Sequence, residues 1–162
     1  MILHIYTIIH TLISLVAIFT GIVVLFGMLS GNRLDCWTKW FLTTAVLTTV
    51  TGFFFPFHGF TPAIGLGIIL LPFLVVTIFA RCSKHLAGAW RWIYVVTAVA
   101  SLYLNVFVGV VQSFQKLSFL QPLAPTQSEP PFIVAQLVVL VAFIALGALA
   151  VIRFRPAASA SA

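Results

Sequence analysis

Residues 5–29 read IYTIIHTLISLVAIFTGIVVLFGML, a run without one Lys, Arg, Asp or Glu. An α-helix rises about 1.5 Å per residue, so ~20 apolar residues cross a hydrocarbon core of ~30 Å. The run therefore reads as a transmembrane helix. No Lys or Arg precedes Arg33 and the apolar stretch continues past Leu25. A retained first span is expected rather than a signal peptide, which would open on basic residues and close on a small-residue cleavage site. No Gly follows Met1 and no Cys lies near the C-terminus, so no lipid anchor is expected.

Working outward, four more segments pass the same length test: 40–57, 62–80, 90–114 and 132–152. Ser30, Gly31 and Asn32 end the first span, and Pro56, Gly59 and Pro62 confine the next turn to a few residues, which sends the third span back beside the second. The loop after the fourth span, Lys116 to Pro131, is rich in Pro and Gln, and the tail 156–162 is too small and polar to fold. No internal repeat is visible. Residues 1–155 are expected to form one domain.

Composition agrees with this reading. Of 162 residues 62% are hydrophobic and 6% charged, whereas a soluble domain carries roughly 25% charged residues. Lipid must solvate most of such a surface. The net charge of +6 would suggest nucleic acid in a soluble protein, but its distribution explains it otherwise. Arg33, Lys39, Arg81, Lys84, Arg91, Arg153 and Arg155 share one side of a five-span arrangement, leaving Lys116 alone on the other. Lys and Arg accumulate in cytoplasmic loops and meet anionic headgroups there. The expected protein is thus an all-α integral membrane protein, a five-transmembrane-helix bundle with its N-terminus outside and its C-terminus cytoplasmic. A multi-pass place in a cell membrane, of the bacterial inner-membrane kind, follows from it. Trp37, Trp40, Trp90 and Trp92 fall at the same interface, where indoles settle.

Polar groups inside a bilayer are costly, so their positions carry information. Ser101, Asn105, Gly109, Gln112 and Lys116 lie within one arc of the fourth span, and His4, Thr7, His10, Thr11 and Ser14 within about a third of the first. Gln136 enters the fifth span, Glu129 precedes it, and His58 closes the second. His4, His10, His58, Asn105, Gln112, Glu129 and Gln136 all belong to the outer half, whereas the inner half holds mainly Thr. The expectation is an outward-facing polar pocket closed below, with His10, Asn105 and Gln112 facing one another.

Such a pocket suits a binding module for a lipophilic ligand with one polar end, or an accessory subunit of a membrane complex. The alternative is a membrane redox protein holding haem, quinone or copper through His10 and His58. Neither a Cys-x-x-Cys-His motif nor a His pair four apart is present, and Cys36 and Cys82 have no metal spacing. Two acids on opposite sides cannot act as a pair, which argues against a hydrolase. The expected partners are membrane lipids, other membrane subunits or further copies of the chain, and not nucleic acid.

Overall fold

In the computed structural model, residues 1–56 and 59–156 are described. Five α-helices follow one another: α1 (Ile2–Leu29), α2 (Asp35–Gly52), α3 (Pro62–Cys82), α4 (Trp90–Lys116) and α5 (Pro130–Arg153), with a 3₁₀ turn at Gln121–Leu123. No strand occurs among the described residues.

The ends of the helices follow local chemistry. After α1, Gly31 takes φ 75°, Gly31 N donates to Met28 O, and Asn32 N donates to Gly27 O at 2.8 Å. This left-handed glycine turn satisfies the last carbonyls of the helix. Asp35 opens α2, where a carboxylate faces the positive end of the helix dipole. Thr61 caps α3, its hydroxyl accepting from Ile64 N at 3.4 Å, and Pro62 supplies the first helical position without a wasted N–H. Pro130 does the same for α5.

Four helices, α1, α3, α4 and α5, are long and apolar enough to cross a membrane. The second segment differs from the sequence expectation: it spans 35–52 rather than 40–57, shifted toward the charged stretch. Its 18 residues still give ~27 Å of length, but it carries Asp35, Lys39 and a series of threonines. Those hydroxyls are largely self-satisfied. Thr44 donates to Trp40 O at 2.7 Å, Thr49 to Ala45 O at 2.8 Å and Thr51 to Leu47 O at 2.6 Å, so burying them leaves few polar groups unpaired.

In the bundle α1 packs on α2, α3 on α4, and α5 on α4, while α1 also touches α4 and α5. The core is not evenly spread. Val24, Leu25 and Met28 of α1, Phe41 and Ala45 of α2, Leu74 and Ala80 of α3, and Tyr94, Val95 and Ala98 of α4 meet near the end where the basic residues collect. By contrast, no residue of α1 before Ala17 is buried. α5 buries only Gln136 and Ala150.

Candidate functional site

Of the seven candidate residues, the six that are described do not converge on one place. His4 is exposed, and His58 and most of the 156–162 tail lie outside the described residues. His10 turns toward α2: its Nδ1 lies 2.8 Å from Thr51 Oγ1. Thr51 Oγ1 also lies 2.6 Å from Leu47 O, so the hydroxyl links the imidazole to the backbone of α2. Tyr6 OH donates to Thr51 O at 2.6 Å, and Phe55 sets its ring edge-on to both Tyr6 and His10. This is a knot between α1 and the end of α2.

The polar stripe of α4 does face inward, as its spacing predicts. Ser101 and Asn105 are buried, and Gly109 lies against Ile18 of α1, whose Cδ1 is 3.3 Å from where a Cβ would stand. For Asn105, the expected meeting with His10 fails on register. Ile18 sits at Gly109 and Gly21 at Leu102, so the two helices run antiparallel and His10 lies level with the last turn of α4. At 1.5 Å per residue that is about 12–18 Å from Asn105. Asn105 instead donates to Ser101 O of its own helix at 2.9 Å, and Gln112 is half-buried.

Gln136, like His10, joins two helices, donating through Nε2 to Phe107 O at 3.2 Å. Its Oε1 is buried without a partner. Glu129 is tied into the loop before α5, accepting from Thr126 Oγ1 at 2.8 Å, Thr126 N at 3.2 Å and Ser128 N at 3.0 Å. The Thr126 hydroxyl above all, with the backbone N–H groups, holds its carboxyl below the usual range. A depressed pKa means that the loop gains stability above the ordinary carboxylate range and loses it as pH falls through the folded pKa. Protection of the Thr126 and Ser128 amides from hydrogen exchange should therefore drop on acidification, and Glu129→Gln should show the reduced protection already at neutral pH. Equal protection in both proteins at neutral pH would contradict this.

Sequence reasoning missed the most interlinked polar cluster, at the basic end. Arg81, its side chain only 11% exposed, pairs with Asp35, which is 70% exposed, and also donates to the buried Tyr94 hydroxyl at 3.2 Å. Arg33 approaches the same carboxylate at 3.6 Å. Arg91 reaches across to α5 and donates to Val151 O at 3.0 Å and Phe154 O at 2.5 Å. The signal was present in Asp35, the one acid among seven cations. It was overlooked because those cations were read only as headgroup anchors.

Two open hollows lie along the surface of the bundle. One, of about 210 Å³, is polar and lies between the end of α4 and the following loop, lined by Gln115, Gln121, Thr126 and Gln127. The other, of about 320 Å³, is an apolar groove between α4 and α5, lined among others by Val96, Val99, Ala100, Tyr103, Gly147 and Val151. Small residues make it: Ala100, Gly147 and Ala148 leave space that larger side chains would fill. Gln136 lies one helical turn beyond Leu140, which ends the groove away from the basic residues.

The fold and these sites define an all-helical protein whose four long apolar helices suggest a multi-pass membrane protein. No family model matches the chain, and no curated protein or solved structure is significantly similar to it.

Proposed function

We propose that the chain is a five-span membrane bundle, N-terminus outside and basic end in the cytoplasm, that serves as a binding module for a lipophilic ligand with one polar end. The observation that carries this reading is the α4–α5 groove, whose 320 Å³ falls in the range of small-molecule sites, about 300–1,000 Å³. Its walls are apolar and its two helices are held together independently of any ligand, by the Gln136 and Arg91 hydrogen bonds. The outer candidates act chiefly as ties: His10 to α2, Asn105 to its own helix and Glu129 to its loop.

The accessory-subunit reading draws on α5, which leaves Val134, Leu137, Val138, Val141 and Ile144 exposed for lipid or a partner helix. The redox reading finds no converging donor set among the described residues. A photoactivatable fatty acid presented to the protein in detergent tests the groove. Cross-links are expected on 96–103 and 140–151, and Ala148→Phe, at an exposed position on the groove wall, should remove most of them. Cross-links spread evenly over all five helices, unchanged in the variant, would overturn the reading.

A further inference from the structure

The segment that joins α4 to α5 has two unlike sides. Its polar side chains Gln121, Thr126 and Gln127 meet Gln115 of α4 at the polar hollow. Leu117, Phe119 and Leu123 line no part of that hollow and stand 42%, 69% and 50% exposed. Residues 117–128 carry no charge. An uncharged turn that gathers polar side chains on one side and leaves large apolar ones on its surface has the amphipathic make-up of an interfacial segment.

Its backbone is satisfied from within. The N–H groups of Leu117, Leu120, Gln121, Leu123, Ala124 and Gln127 donate to carbonyls of the segment or of α4. Those of Thr126 and Ser128 go to the Glu129 carboxylate, and Pro122 and Pro125 have none to donate. A loop in water can leave such groups to solvent, whereas one beside acyl chains must pair them internally. The segment also stands at a fitting depth. Gln127 Nε2 donates to Val111 O at 3.1 Å, so the end of the segment doubles back alongside the last turns of α4. Counted from Trp90, the first residue of α4, Val111 lies ~31 Å along the helix, about the thickness of a hydrocarbon core. That places the returning chain at the boundary between acyl chains and headgroups, on the side away from the basic residues.

We infer that the α4–α5 segment is a membrane-docking surface, with Leu117, Phe119 and Leu123 seated among the lipids of the leaflet at the end opposite the basic residues. This rests on the membrane-spanning bundle and not on the ligand of the groove. The three side chains enter the acyl boundary while the hollow with Gln121, Thr126 and Gln127 stays with the headgroups and water. The irregular backbone goes no deeper, because lipid-exposed loops do not occur within the hydrocarbon region.

Collision rates of a nitroxide with oxygen, which concentrates in the bilayer, and with a water-soluble nickel chelate test this. In a Cys36→Ser/Cys82→Ser background the label is attached in turn at Phe119→Cys, Leu123→Cys, Ser128→Cys and Val141→Cys. The full chain is held in phosphatidylcholine vesicles. Ser128 is an exposed polar position of the same loop, and Val141, 64% exposed, is in the middle of α5. The oxygen-to-nickel ratio at 119 and 123 should lie several-fold above that at 128 and below that at 141. Ratios at 119 and 123 equal to that at 128, with 141 still rich in oxygen, would overturn the docking and leave the span intact. Labels at 119 and 123 shielded from both reagents would give this face to a protein and overturn it equally. A water-like ratio at 141 would remove the span itself, and the docking with it.

Discussion

Arg91→Ala is expected to loosen α5 from the bundle and to lower stability by up to about 3–6 kcal/mol, since hydrogen bonds to charged groups contribute ~1.5–3 kcal/mol each. Two such bonds are lost, to Val151 O and Phe154 O. The consequence is large because α5 buries few of its own residues, Gln136 and Ala150 alone. Phe154, fully buried against the Tyr94 ring at 5.8 Å, loses the contact that fixes its carbonyl. Thermal unfolding in detergent should show a clearly lower midpoint. Arg91→Lys should recover only part, since a point-like ammonium replaces the planar fork that reaches both carbonyls. An unchanged midpoint in Arg91→Ala would show that α5 is held by other means.

Gly21→Val should be of similar severity. Gly21 sits where α1, α2 and α4 meet, and even a Cβ there would stand 2.5 Å from Leu102 Cδ1 and 2.8 Å from the Phe41 ring. Both neighbours are buried to within about 1%, so neither has open space to move into. Overpacking of this kind costs roughly 1–3 kcal/mol, and a β-branched residue adds two methyls to the clash. Gly109→Ala is the milder comparison, with a single contact of 3.3 Å to Ile18. Equal unfolding midpoints for Gly21→Val and wild type would contradict the three-helix contact.

Much of the helix plan was legible because its signals are local. Apolar length sets α1, α3, α4 and α5, and Gly31 and Pro62 mark two of their ends, whereas Pro130, expected in the loop, opens α5. α2 was misplaced because the apolar run through Phe57 outweighed the helix-starting Asp35, whose value lies in the dipole and in a salt bridge to Arg81, 46 residues away. The inward face of α4 was also legible, from the spacing of Ser101, Asn105 and Gly109. Its partner was not. Which residue of α1 meets Asn105 depends on how Gly21 and Gly109 let the helices approach, and helical period carries no information on register between helices. The α4–α5 groove escaped for a related reason: Ala100, Gly147 and Ala148 are unremarkable singly and form a hollow only when two helices place them together.

The central claim, a multi-pass bundle whose basic end faces the cytoplasm, is tested most directly by thiol labelling. Cys36 and Cys82 are both exposed and belong to the basic end, and Ser128 lies in the loop at the opposite end. A membrane-impermeant maleimide added to intact cells should leave Cys36 and Cys82 unmodified until the membrane is permeabilised. In a cysteine-free background the Ser128→Cys thiol should react at once. Labelling of Cys36 and Cys82 in intact cells, with the Ser128→Cys thiol silent, would contradict the orientation and the account built on it.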